Sequence, residues 1–271
     1  MQNNEFIDVG ENVRLHIRDW GEGKAVVFIP GWPLSHEMFE YQFTQLPKYG
    51  YRCVGITQRG FGKSSKPWGA YTYDVFADDL KIVLETLNLN DVTLVGHSMG
   101  GAVAIRYMVR HLGARVSKLA LLGAAAPSFT VRPGFPYGME PSAVDGLVEK
   151  CHEDRAALNS EFGEIFFRTK KSAGRELSSW LLNMGMEASA HATADCLVSL
   201  RDMDLRGDIN QITVPVAIFH GTHDKICPFS LAEAMADGIK GAKLVKFEKS
   251  GHALFYEEKD KLNSELMKFI G

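Results

Sequence analysis

The sequence contains no run of about 18 apolar residues, so a transmembrane helix is not expected. It has no block of like charge either. Its 30 Lys and Arg are interspersed with 33 Asp and Glu, for a net charge of −3, a pattern that excludes the electrostatic footprint of nucleic-acid or anionic-membrane binding. Cysteine is scarce and scattered. Cys53, Cys151, Cys196 and Cys227 form no C-x-x-C pair, which argues against a disulfide framework and reads as reduced, packing thiols of a cytoplasmic protein. Met1-Gln-Asn-Asn-Glu5 carries no basic stretch followed by an apolar core, so no secretory leader is expected. His220 and His223 stand close together but have no third ligand at useful spacing, and neither a metal nor a cofactor is expected. Repeats, low-complexity tracts and linkers are also missing. The 271 residues therefore read as one large domain or one domain with an insertion.

What is present is a rhythm of strands and helices. Glu5–Val9 and Val13–Asp19 alternate apolar and polar residues, as half-buried antiparallel strands do. Ala25–Ile29 is apolar throughout and predicts a strand buried on both faces. Strands at Tyr51–Ile56, Val92–Val95 and Leu119–Leu122 then alternate with helices near Glu37–Leu46, Val75–Leu87 and Ala102–His111. This order implies an α/β fold with a mostly parallel, doubly wound sheet. The rhythm stops at Ala124-Ala-Ala-Pro127. Residues 128–207 carry only helical patterns, near Ser142–His152, Arg155–Phe167, Glu176–Met184 and His191–Asp202, and predict a helical cap inserted in a core made of residues 1–127 and 208–271. The sheet resumes at Val214–Phe219 and Lys243–Phe247, and an amphipathic helix closes the chain at Lys259–Ile270.

The chain is organised around Asp91-Val-Thr-Leu-Val-Gly-His-Ser-Met-Gly-Gly-Ala102. A strand runs into Gly96-His-Ser-Met-Gly100, and a helix pattern follows, the context that makes G-x-S-x-G specific. A serine on so tight a turn must take a strained backbone, and a Cβ two residues before or after it would collide. The hydroxyl is then lifted above the sheet beside the positive end of a helix. A serine needs a base, and the base an orienting carboxylate. Two residues follow strands on the same edge of the sheet: Asp224 in His220-Gly-Thr-His-Asp224, and His252 in Ser250-Gly-His252. Their order along the chain is Ser98, Asp224, His252.

These segments, together with Pro30-Gly-Trp-Pro-Leu34, Gln58-Arg-Gly-Phe-Gly-Lys-Ser64 and Tyr73-Asp-Val-Phe-Ala-Asp-Asp-Leu80, resemble the α/β-hydrolase superfamily across essentially the whole chain. Within it the sequence is similar to the small esterases that include perhydrolases and cofactor-free haloperoxidases. The resemblance implies an α/β-hydrolase fold, with Ser98 as nucleophile, His252 as base and Asp224 as its orienting acid. It also implies an oxyanion hole made by the backbone N–H groups of Trp32 and Met99. Pro33, His97 and Phe135 are the candidates for the substrate pocket. Phe162, Phe166 and Phe167 have helical spacing and read as cap core.

Three residues depart from the family pattern. Pro30 replaces a histidine ahead of the oxyanion glycine, Thr57 stands where an aspartate is common, and His97 precedes the serine where close relatives often have phenylalanine. Pro33 agrees with the perhydrolase-type members, in which a proline carbonyl is thought to help bind hydrogen peroxide. The expected activity is hydrolysis of a small carboxylic ester (aryl, short-acyl or lactone), with peracid formation as a side activity. A C–C bond hydrolase with the same triad and a hydrolase-fold ligand receptor are the alternatives. A small-molecule ester is the expected partner and nucleic acid and membrane are not; the resemblance is compatible with a homo-oligomer, although no exposed apolar stripe marks an interface.

Overall fold

A computed structural model describes residues 5–271. Eight strands form one sheet: β1 (Phe6–Gly10), β2 (Val13–Trp20), β3 (Lys24–Ile29), β4 (Tyr51–Ile56), β5 (Val92–His97), β6 (Val116–Leu122), β7 (Val216–Gly221) and β8 (Lys243–Phe247). Their order is β1-β2-β4-β3-β5-β6-β7-β8. The first two strands pair antiparallel, β2 also runs antiparallel to β4, and the remaining neighbours are parallel. The apolar β3 and β5 lie at the centre, where helices cover both faces.

Among the described residues ten helices accompany the sheet: α1 (Glu40–Phe43), α2 (Tyr73–Thr86), α3 (Met99–Arg110), α4 (Pro141–Phe166), α5 (Arg175–Met186), α6 (Ala190–Asp202), α7 (Arg206–Ile209), α8 (Phe229–Gly238), α9 (Leu254–Glu257) and α10 (Lys259–Ile270). The helix expected over Glu37–Leu46 is broken into α1 and two 3₁₀ turns, His36–Phe39 and Leu46–Tyr49. Pro47 has no N–H to continue a helix, and Gly50, at φ +80°, closes the last turn. The strand β6 gives way to β7 only after α4, α5, α6 and α7. Across residues 128–207 the only β contacts are isolated bridges, such as Ser128 to Asp204. Within α4 the helix is interrupted at Asp154 (φ −150°, ψ 82°), whose carboxylate accepts from the Ala157 N–H and caps the second segment. The two helices read from the sequence are therefore distinct. No helix among the described residues is long and apolar enough to cross a membrane.

Register places the chemistry. Ile29 pairs with Gly96, His97 with Leu122, Leu122 with Phe219, and Gly221 with Phe247. The carboxyl ends of β3, β5, β7 and β8 thus reach one edge of the sheet, and the segments bearing Trp32, Ser98, Asp224 and His252 leave from it.

Candidate active site

Ser98 links β5 to α3 with φ +54° and ψ −122°, a conformation that a side chain adopts only under constraint. The two flanking glycines supply the room. A Cβ at Gly96 would lie 2.5 Å from the Gly100 carbonyl oxygen, and one at Gly100 would lie 2.4 Å from the Ile29 oxygen. Helix α3 starts at Met99, three residues earlier than the sequence pattern indicates, because the serine itself occupies the N-cap position. The Met99 N–H is therefore one of the free donors of the first turn.

The Pro30–Leu34 loop packs directly on this elbow. A Cβ at Gly31 would sit 2.7 Å from the Ser98 Cβ and 2.8 Å from His97 Nδ1. Trp32 is buried and fixed by its indole N–H, which donates to the Thr193 carbonyl on α6 at 3.0 Å. Among the described residues, neither the Trp32 nor the Met99 backbone N–H donates to a protein acceptor.

Asp224 Oδ2 accepts from His252 Nδ1 at 2.7 Å, and both residues are buried. Asp224 Oδ1 accepts from the backbone N–H groups of Ile226 (2.9 Å) and Cys227 (2.8 Å). Burial raises the pKa of this carboxyl, but the neighbouring His252, its hydrogen bond, and the Cys227 amide outweigh burial and hold it below the ordinary value. The bond to Asp224 fixes the imidazole orientation and leaves Nε2, which has no hydrogen-bond partner among the described residues, as the free nitrogen. The His252 loop is anchored from α9: Glu257 accepts from the Gly251 N–H at 2.7 Å, and the adjacent Glu258 accepts from the Ser250 hydroxyl at 2.7 Å.

His97 is enclosed. Its Nε2 donates to the His252 carbonyl at 3.0 Å, and the two rings stand 4.6 Å apart between centroids. Burial, helped by the nearby His252, pushes its pKa down to about 3, so it is neutral at physiological pH. His220 is likewise buried, donates to the Cys227 carbonyl at 2.8 Å, and is lowered mainly by burial. The Cys227 thiol lies beside Asp224 and the Ser98 hydroxyl. Burial, reinforced by the Asp224 charge, raises it well above the usual thiol range despite the hydroxyl, and it stays protonated. At the Thr57 departure, the following loop is held by Arg59, which pairs both ways with buried Asp79 at 2.7 and 2.6 Å.

A cavity of about 300 Å³ lies between the Pro33 loop and helices α4 and α5. Pro33, Asn159, Phe162, Phe166, Leu181 and Gly185 are among its walls, whereas Ser98 and His252 are not. The aromatic wall explains the separation. Phe162 meets Trp32 edge-on at 5.1 Å, and Phe166 meets His252 edge-on at 5.4 Å. Pro33 thus reaches the cavity and His97 packs behind the elbow. Phe135 lines another hollow, with Tyr137, Arg206 and Ile209. Phe162 and Phe166 belong to the packed core, as periodicity indicated, and also stand between the cavity and Trp32 and His252. Their i, i+4 spacing marks one helix face but not what that face meets.

Residues 24–259 match the family described as alpha/beta hydrolase fold. A Bacillus subtilis protein described as an AB hydrolase superfamily protein is 48% identical over 97% of this chain and 98% of its own. Among solved structures, an esterase from Exiguobacterium antarcticum superposes with a TM-score of 0.95 at 42% identity, covering 98% of each chain. A bromoperoxidase from Bacillus anthracis superposes equally well, with a TM-score of 0.95 at 31% identity and the same coverage. The chain belongs to the α/β-hydrolase family and is an enzyme of that class.

Proposed function

We propose that this enzyme hydrolyses small carboxylic esters by acyl transfer through Ser98, His252 and Asp224. The observation that carries the reading is the strained Ser98 elbow on the same sheet edge as the 2.7 Å Asp224–His252 pair, whose Nε2 has no hydrogen-bond partner among the described residues. In the first step the Ser98 hydroxyl turns from the Cys227 side toward Nε2. Its oxygen attacks the ester carbonyl while the proton passes to Nε2. The oxyanion is held by the Trp32 and Met99 N–H groups, and His252 returns the proton to the departing alcohol. Water then attacks the acyl-serine, giving the acid and restoring the hydroxyl. Asp224 stays ionised throughout and stabilises the imidazolium.

Hydrogen peroxide in place of water would give a peracid from the same acyl-serine. Pro33 beside Trp32 and the likeness to a bromoperoxidase support that second acceptor. The cavity walled by Pro33, Phe162 and Phe166 offers room for an acyl chain or an aryl alcohol.

A fluorophosphonate probe should label the enzyme once, at Ser98, and Ser98→Ala should abolish both labelling and ester turnover. Retained turnover in the alanine variant would overturn the mechanism. A panel of p-nitrophenyl esters, lactones and β-diketones, run with and without peroxide, separates ester hydrolysis from C–C bond cleavage and from near-single-turnover ligand binding.

A further inference from the structure

On the far side of the Trp32 loop, three side chains converge that the proposed mechanism does not use. His16 lies on β2, and His36 and Glu37 open the turn that follows the Pro30–Leu34 loop. His16 Nδ1 stands 3.8 Å from Glu37 Oε1, and His36 Nε2 stands 3.9 Å from the same oxygen. The three atoms lie within 4.8 Å of one another. Both histidines are about 98% buried, yet neither of these nitrogens has a hydrogen-bond partner among the described residues. Buried polar atoms are rarely left so, and two aimed at one carboxylate oxygen form a recognisable donor set.

From this geometry we infer that His16, His36 and Glu37 form a binding site for one divalent transition-metal ion of the zinc type. Two imidazoles and a carboxylate are a ligand set such ions accept, with water completing the tetrahedron. Bond lengths of about 2.0–2.1 Å put tetrahedral ligand atoms roughly 3.3 Å apart. Glu37 Oε1 therefore has to close on each nitrogen by only about half an ångström, and the imidazoles, tilted at 46° with centroids 4.9 Å apart, have to lean together. Glu37, whose side chain is 29% exposed, gives the ion a way in from solvent.

The surroundings have the features of a supporting shell. His36 Nδ1 lies 2.7 Å from Thr57 Oγ1, and the tautomer that donates there presents a bare Nε2 to the ion. Thr57 is the residue that replaces the usual aspartate, and its own backbone N–H donates to the His16 carbonyl, tying both ligands to one point. Ser35 donates to the other oxygen of Glu37. A Cβ at Gly55 would come within 2.8 Å of the His36 Cβ, so the glycine leaves that imidazole its place. Arg18 and Lys63 add positive charge nearby, and Glu37 and Glu5 oppose it. An ion here would clamp β2 to the segment that carries Trp32, and so stiffen the loop expected to hold the oxyanion.

The experiment uses chelator-treated full-length enzyme and equilibrium dialysis against Zn²⁺ and, separately, Co²⁺. One ion per chain is expected, with the visible absorption of four-coordinate Co²⁺. At a hundredfold excess over Kd, Zn²⁺ should raise the melting temperature by roughly 5 °C. His16→Gln, His36→Gln and the partly exposed Glu37→Gln should each weaken binding by at least about 100-fold, and Thr57→Val by about 10-fold or more. His252→Ala should keep the ion, which separates this site from the triad and makes the result independent of the proposed mechanism. Absence of stoichiometric binding, or binding lost with His252→Ala and kept in Glu37→Gln, overturns the assignment.

Discussion

The Phe166 ring stands edge-on to His252, at 5.4 Å between centroids and 78° between planes, on the boundary between the cavity and that imidazole. The same ring approaches His97 and Phe255, and its carbonyl accepts from the Ala253 N–H at 3.1 Å. One helical residue thus packs the His252 loop and closes the nearest wall of the cavity.

Phe166→Ala should open that wall. Truncating a buried phenylalanine costs about 3 kcal/mol of stability, but the space it leaves connects the cavity with His252. The ratio of kcat/KM for p-nitrophenyl hexanoate to that for the acetate should rise at least about tenfold, since each buried methylene is worth about 0.8 kcal/mol. A chain-length profile that keeps its shape would show that acyl groups do not use this cavity.

The Asp224–His252 contact makes a sharper demand. In Asp224→Asn the amide oxygen can still accept from Ile226 and Cys227, while an NH₂ placed toward His252 Nδ1 would favour the wrong imidazole tautomer. We expect kcat for p-nitrophenyl acetate to fall by about 10³–10⁴-fold with a small change in KM. A purely structural aspartate, serving only to cap the turn, would tolerate asparagine with little loss of rate. Stopped-flow burst kinetics on the variant distinguishes the two roles.

How far the sequence could be read follows from which features are local. Ser98 was visible because its steric problem is solved within five residues, by Gly96 and Gly100. Asp224 and His252 were visible because each follows an apolar strand by a short loop, and parallel strands bring their ends to one edge. The break at Asp154 was legible because an aspartate caps the second segment of α4 locally. Phe166 was not. Helical spacing says that Phe162 and Phe166 share a face, but the packing of α4 against the His252 loop decides that Phe166 meets His252. The His16–His36 pair was invisible for the same reason: the antiparallel crossing of β2 and β4 sets His16 beside Thr57, and Thr57 in turn holds His36. Phe135, named from a loop rich in Pro and Gly, follows a path that sequence does not encode locally, and it lines a different hollow.

Gly31 tests the loop that faces the elbow. A methyl group there would press against the Ser98 Cβ at 2.7 Å, closer than carbon atoms tolerate, so either the loop or the serine must move by several tenths of an ångström. Because the Trp32 amide follows Gly31 in the chain, Gly31→Ala should lower kcat by about 10-fold, less than the roughly 100-fold that follows a misplacement of about 1 Å. Binding of a substrate-like ketone that forms no covalent adduct should change little. Circular dichroism and active-site titration with the fluorophosphonate separate this outcome from simple unfolding.

His97 links the site to the stability of the fold, and the sign can be worked out. A histidine that titrates near 6.5 when unfolded and near 3 when folded binds more protons in the unfolded state throughout that interval. Stability is therefore fully present above pH 6.5 and drains away as pH falls toward 3, by up to about 1.4 kcal/mol per pH unit for this one group. His36, also pushed down to about 3, and the lowered His16 and His220 act in the same direction. Melting temperature should accordingly fall steeply between pH 6.5 and 4.5. His97→Phe removes one titrating group but leaves the His252 carbonyl without its donor, at a cost of about 1–3 kcal/mol near neutrality. The variant should therefore start less stable at pH 7.5 and lose stability more slowly on acidification, so that the two denaturation curves approach one another by pH 4.5. Parallel pH dependences in wild type and variant would mean that His97 is already protonated in the folded enzyme, and that its bond to the His252 carbonyl is made by an imidazolium.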